Sequence, residues 1–214
     1  MGGRIDCYLD IASFFSYVVF VKLLSDLDTL ASHGIEVEFH PVFLGAIMNR
    51  ASNNPPWMNK AKGRYLLHDT RRAALDAGIK NWALPRDLLP LAKTPSPLRA
   101  LLVVKSRYPP SKFHQTMLRL FHRFWEPPHA KLFEDHVLEA ALLEDGLFSG
   151  EEVRGFWRGG GGEGLVGGGR RIGRSSWGLS VRPGCGFLLG GGGRSLSSGV
   201  IGLGRFIGIW AFRI

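Results

Sequence analysis

The chain holds only two cysteines in 214 residues, Cys7 and Cys185. There is no CxxC pair and no paired framework, which excludes a disulfide-stapled secreted scaffold and points to a reducing, intracellular compartment. No HExxH and no Cys/His cluster occurs, so no metal is expected. His122, His129 and His136 recur at a constant spacing, but Pro127-Pro128 interrupts any helix that would align them. They read as structural or solvent histidines. Long apolar runs are scarce as well. Val200–Phe212 is too short to span a bilayer and contains Arg205, so no membrane partner is expected. A strand starting at Arg4 or Ile5 leaves no room for a signal or transit peptide. Asp6 breaks the myristoylation pattern, and Phe212-Arg213-Ile214 is not a peroxisomal tripeptide, so no targeting signal is visible.

Acidic residues are few, and the shortage is uneven. The net charge is +9, but residues 155–214 carry eight Arg, one Glu and no Lys or Asp, about +7, which leaves about +2 for the body. Residues 155–214 also hold 21 of the 29 glycines, in runs such as Gly159–Gly162 and Gly190–Gly193. Such a segment has high backbone entropy and little periodic apolar surface. Residues 154–214 therefore read as a Gly/Arg-rich low-complexity tail, disordered or an aberrant ending. A tail of this composition is also found on RNA-binding chains, but no regular Arg-Gly-Gly repeat or aromatic interleaving supports nucleic acid as a partner.

The body has clear periodicity. Ile5, Cys7 and Leu9 alternate with polar residues, which predicts a strand over 4–10. Val18, Val19, Leu23, Leu24, Leu27 and Leu30 fall on a helical stripe over 14–32, and Gly34 suits the position after its end. Ile35, Val37 and Phe39 alternate again. Strand, helix and strand make a βαβ unit with parallel strands and a right-handed crossover, residues 1–56. Leu44 to Pro56 reads as irregular. From Trp57 to 153 the pattern is helical, with helices expected at 57–77, 97–107, 112–126 and 130–144 and prolines at the breaks. Four helices in succession predict a helical insertion subdomain, 57–153, within an α/β domain. Trp82, Phe121, Phe124 and Trp125 are expected to pack between those helices.

Chemistry is concentrated in Asp10-Ile11-Ala12-Ser13-Phe14-Phe15-Ser16-Tyr17, a strand–turn–helix junction with Ser13 at the helix mouth. A helix N-terminus stabilises anions, and a hydroxyl there can donate to a thiolate. Serine is equally suited to be a plain N-cap, and both readings stand at this point.

That segment resembles the D-x-x-S-P-Y-S-[WY] segment of kappa-class glutathione transferases, which share a DsbA-like thioredoxin fold with 2-hydroxychromene-2-carboxylate isomerases. A second stretch is similar to the same family's G-x-[IM]-x…N-x-P-P…K-x-x-[YW]…D pattern: Gly45-Ala46-Ile47-Met48, Asn53-Asn54-Pro55-Pro56, Lys62-Gly63-Arg64-Tyr65 and Asp69. Leu88-Leu89-Pro90-Leu91 to Arg99-Ala100 and Phe121–Trp125 resemble its later helices, so the likeness covers about 4–150. The resemblance implies an α/β thioredoxin-like fold with an all-helical insertion. It implies Ser13 as the hydroxyl that activates the glutathione thiol, and Asn53 and Lys62 as further glutathione contacts. Read from the residues alone, Asn53 would be an Asx-turn and Lys62 an exposed helix lysine. The implied co-substrate is glutathione and the implied chemistry is conjugation to an electrophile or peroxide reduction. A homodimer and a mitochondrial, peroxisomal or cytoplasmic location are implied too. An isomerase using the same thiolate, and an inactive truncated relative that only binds, are the alternatives.

The chain departs from the family pattern in places. Phe14 stands for the usual Pro, which loosens the turn, and Phe15 for Tyr, which removes a hydroxyl. The family's G-x-x-G-x-P strand and the S-D-R segment after it have no counterpart; the one proline past Pro128 is Pro183. The expected sheet therefore has two strands and an open edge.

Overall fold

The structure, a computed structural model, describes residues 2–158 and 210–213. Most of the segment read as a low-complexity tail, with Pro183 and Cys185, lies outside the described residues. Strand β1 (Gly3–Leu9), helix α1 (Phe14–Ser32) and strand β2 (Ile35–Pro41) form the expected βαβ unit. The two strands pair in parallel, from Gly3 opposite Ile35 to Leu9 opposite Pro41. Gly34 takes a φ of 71° and its N–H donates to Ala31 O at 2.9 Å, closing α1 as a glycine after a helix end does.

Residues 44–56 are not irregular. Helix α2 (Leu44–Arg50) and a 3₁₀ turn (Pro56–Met58) lie there. The α2 N-terminus has no side-chain cap of its own; instead its Leu44 N–H donates to Asp10 Oδ2 at 2.7 Å. A bond supplied from the turn after β1 leaves no local trace in the sequence.

Helix α3 (Lys60–Asp76) begins later than the pattern placed it, because Asn59 interrupts the run. The Asn59 side chain accepts from Ala61 N at 3.0 Å and Lys62 N at 3.1 Å. The short α4 (Leu88–Leu91), then α5 (Pro95–Arg107), α6 (Pro110–Trp125) and α7 (Asp135–Leu143) follow. Helix α8 (Gly150–Arg158) crosses the compositional boundary at 154 and buries Phe156. It opens on a capping box: Ser149 Oγ accepts from Glu152 N at 3.2 Å, and Ser149 N donates to Glu152 Oε2 at 2.7 Å.

The helical block and the βαβ unit share one core. Phe113, Met117, Leu120, Phe121 and Phe124 form the buried stripe of α6. Phe121 stacks on Tyr17 of α1 at 5.1 Å, and Phe20 of α1 meets Phe39 of β2 at 4.8 Å. Among the described residues no helix is long and apolar enough to cross a membrane.

The open edge expected at β1 is covered. Strand β3 (Trp210–Arg213) pairs antiparallel with β1, Cys7 opposite Trp210 and Arg4 opposite Arg213, so the sheet has three strands in the order β2-β1-β3. An unpaired edge is a ready template for such backbone pairing. Deleting residues 210–214 is expected to speed hydrogen exchange in β1 while leaving β2 unchanged. Unaltered protection of β1 would show that β3 contributes nothing to the edge.

An ionic network spans the sheet. Arg4 pairs with Asp6 at 3.0 Å and with Glu38; His40 Nε2 meets Asp6 at 2.9 Å, and Lys105 of α5 reaches Glu38 at 2.7 Å. The Lys105 hydrogen bond is the main cause of a lowered Glu38 pKa. A lowered carboxylate pKa contributes stability above the unfolded value, near 4.5, and loses it as pH falls through the folded value. Glu38→Gln is therefore expected to destabilise the fold at neutral pH and to lessen its loss of stability below about pH 4.5, as read by denaturant unfolding across pH.

Candidate functional site

The site is built at the C-terminal ends of the parallel strands, where β1 and β2 both turn into helices. Asp10-Ile11-Ala12-Ser13 makes the turn: Ser13 N donates to Asp10 O at 3.0 Å, and Ala12 N to Asp10 Oδ1 at 3.0 Å. Ser16 Oγ accepts from Asp10 N at 3.3 Å, tying the helix back to the strand end. Trp125 Nε1 donates to Ile11 O at 2.9 Å from the far side. Phe14, where the family pattern has proline, is held by packing. It is buried against Trp82 at 4.5 Å and Trp125 at 5.1 Å, so packing fixes what a pyrrolidine ring would fix by its dihedral. The expected packing of Trp82 and Trp125 is seen, and Trp125 adds the hydrogen bond to the turn.

Ser13 is the N-cap of α1. Its φ of −100° and ψ of 113° are extended, and its Oγ accepts from Ser16 N at 3.3 Å. Capping uses an oxygen lone pair and leaves the hydroxyl proton. Among the described residues that proton has no acceptor, and Ser13 is only partly buried. The cap and the thiol-activating hydroxyl, set against each other in the sequence, are therefore compatible roles of one side chain.

Asn53 lies exposed just past α2, its N–H donating to Met48 O at 2.9 Å. Its side chain forms no Asx-turn among the described residues. Lys62 is exposed in the first turn of α3, next to Lys60 and with no acid in that turn. Lysines at a helix N-terminus oppose the dipole and so leave a locally positive surface. Topology brings the Ser13 turn and the α2 segment to the same sheet end, but no hydrogen bond or ion pair joins Ser13, Asn53 and Lys62. Two surface clefts border α6, one of about 390 Å³ against residues 145–147 and one of about 360 Å³ against α7, and none of the three residues lines them.

Other groups are poorly suited to reaction. Burial pushes the Cys7 thiol up to about 12, so it stays protonated and 1% exposed. Burial, with Glu126 nearby, likewise raises the Tyr17 phenol to about 12. Asp6, Glu38 and His40 bring donor atoms within 4.8 Å of one another, an arrangement the sequence did not reveal. Arg4 already pairs with both carboxylates and Lys105 with Glu38, so the trio is part of an ion-pair network. His122 faces Glu126, His129 Nδ1 meets Phe124 O, and His136 faces Glu134, so the three histidines share no face. Asp10 is the residue whose importance the pattern understated. It is 3% exposed, burial pushes its pKa up, and Ala12 N, Leu44 N and Thr94 Oγ1 all donate to it.

Comparison with known proteins agrees with this fold. A curated relative, glutathione S-transferase kappa 1 of Caenorhabditis elegans, is 29% identical over 160 residues, 70% of this chain and 66% of the relative. The match thus spans just under two thirds of that relative's length. A solved structure of a 2-hydroxychromene-2-carboxylate isomerase superposes with a TM-score of 0.55 at 19% identity, over 72% of this chain and 70% of that one, which shows a shared fold. The family model for the DSBA-like thioredoxin domain matches residues 4–170. The α/β architecture, the βαβ start and the helical insertion are those of that fold, and the chain belongs to the DSBA-like thioredoxin domain family.

Proposed function

We propose that this protein is a kappa-like glutathione transferase in which Ser13 activates the thiol of glutathione. The observation that carries the reading is the Ser13 hydroxyl: it caps a 19-residue helix with its oxygen while its proton stays available at the helix mouth. A free thiol ionises near pH 8.5, and a helix N-terminus with a hydrogen-bond donor lowers that value. The resulting thiolate attacks an electrophilic carbon, the leaving group departs with its electron pair, and the thiol proton passes to solvent. With a hydroperoxide, the thiolate attacks one peroxide oxygen, the O–O bond breaks and the alcohol leaves after protonation, giving a sulfenic acid. A second glutathione thiol then displaces water from that sulfur to form the disulfide, so the peroxide is reduced and two glutathiones are oxidised. Asn53 and Lys62 are the proposed contacts for the rest of glutathione. The positive first turn of α3 supports Lys62 as the partner of a glutathione carboxylate.

One observation favours a second reading. Trp210–Arg213, which has no proline, occupies the side of β1 away from β2, where the family resemblance implies a G-x-x-G-x-P strand. A chain with that edge filled differently would bind glutathione without turning it over. Incubation with glutathione and an aryl halide, a hydroperoxide or a chromene carboxylate, beside calorimetric titration with glutathione alone, separates the readings. Glutathione-dependent conjugation is expected. Binding without turnover selects the binding protein, faster turnover of the chromene carboxylate selects an isomerase, and no binding overturns the proposal.

A further inference from the structure

Asp10 carries more of the site than any residue the chemistry touches. Its carboxylate is enclosed, 3% exposed, and each of its donors comes from a different segment. Ala12 N at 3.0 Å belongs to the turn that ends at Ser13. Leu44 N at 2.7 Å is the first residue of α2, the helix that leads to Asn53. Thr94 Oγ1 at 2.8 Å belongs to the residue that opens α5, whose C=O accepts from Leu98 N at 3.0 Å. The Asp10 backbone adds two further bonds, to Ser13 N and from its own N–H to Ser16 Oγ. A buried polar group is costly unless satisfied, and here burial is matched by three donors that fix one geometry. No charged side chain is among the partners of this carboxylate in the described residues. Its role is therefore not that of an ion pair.

We propose that Asp10 is a positioning residue for glutathione activation, holding the Ser13 turn in register with the start of α2 through one buried carboxylate and Thr94. This rests on Ser13 being the thiol-activating group. If the carboxylate were loosened, Ser13 and the α2 segment would still be present, each on its own element, but no longer at a fixed separation. A misplacement of the order of an ångström far from the reacting atoms is enough to weaken a catalytic arrangement.

The sign of the effect on the thiol separates positioning from charge. A carboxylate acting by charge alone disfavours a nearby thiolate, so Asp10→Asn would lower the titration midpoint of bound glutathione. Loss of positioning raises it. The test uses the full chain with glutathione and an aryl halide, in the variants Asp10→Asn, Thr94→Val and Thr94→Ser. Asp10→Asn and Thr94→Val are expected to raise KM for glutathione about tenfold and to raise the midpoint, with a smaller change in kcat. Thr94→Ser keeps the donor and is expected to match the wild type, which a merely volumetric role for Thr94 would not produce. If Asp10→Asn does not fold, Thr94→Val with Thr94→Ser as its control decides the matter alone. Wild-type KM and midpoint in Thr94→Val, or a lowered midpoint in Asp10→Asn, would overturn the proposal. Should Ser13→Ala leave turnover intact, the reading of the site fails instead, and the two failures are thereby told apart.

Discussion

Ser13→Ala is expected to lower kcat/KM for glutathione-dependent turnover by about 10²- to 10³-fold, the range seen when one donor to a developing or stabilised anion is removed. The same change removes the N-cap of α1 and costs about 1 kcal/mol of stability. These two effects have different chemistry and can be separated. Asp is as good an N-cap as Ser, because its oxygen accepts from the same first-turn N–H, but an ionised Asp cannot donate to a thiolate. Ser13→Asp is thus expected to unfold at a denaturant concentration close to the wild type and to be as inactive as the alanine variant. Ser13→Thr keeps oxygen and proton and should retain most activity. Wild-type turnover in Ser13→Asp would mean that the serine is a cap and nothing more. The geometry that makes this experiment informative is the single bond from Ser16 N to Ser13 Oγ, which uses only the acceptor side of the hydroxyl.

The largest loss of stability is expected from Trp125→Ala. The indole is 2% exposed, lies edge-on to Phe14 and Phe124 at 5.1 Å each, and donates to Ile11 O at 2.9 Å. Truncating a buried aromatic of this size costs about 3–5 kcal/mol, from lost burial and the cavity left behind. That is a large part of the stability of a typical domain. Ile11 O also loses its partner in a region closed to water. Trp125→Phe keeps most of the packing and removes the donor, with an expected cost of about 1–3 kcal/mol. Urea unfolding of the two variants checks the ordering. If Trp125→Phe were as stable as the wild type, the bond to Ile11 would carry no weight in holding the turn.

The βαβ start was legible because its signals are local. Alternation in Ile5–Leu9 and Ile35–Phe39, the stripe of α1 and Gly34 after its end each depend on neighbours within a turn or two. Helix α2 was not legible, since its N-terminal N–H is satisfied by Asp10, 34 residues away. The break at Asn59 and the start of α8 had local signals. Asn59 is a cap before Lys60, and Ser149-Gly150-Glu151-Glu152 is a capping box, yet a helical apolar pattern on either side obscured the first and a glycine-rich composition the second. Strand β3 is short, and its pairing partner β1 lies at the other end of the chain. At the site, the place of Ser13 followed from the strand–turn–helix pattern. The role of Asp10 did not, because Leu44 and Thr94 lie 34 and 84 residues from it. The packing of Phe14 was hidden for the same reason. Its ring packs against Trp82 and Trp125, both distant in sequence.

The most direct measurement is the pH titration of the glutathione thiol while it is bound, followed by the ultraviolet absorbance of the thiolate in the wild type and in Ser13→Ala. The wild type is expected to hold the midpoint below the free-thiol value of about 8.5, and Ser13→Ala to return it toward that value. A midpoint that is the same in both proteins, or that stays at the free value in the wild type, would contradict thiol activation by Ser13.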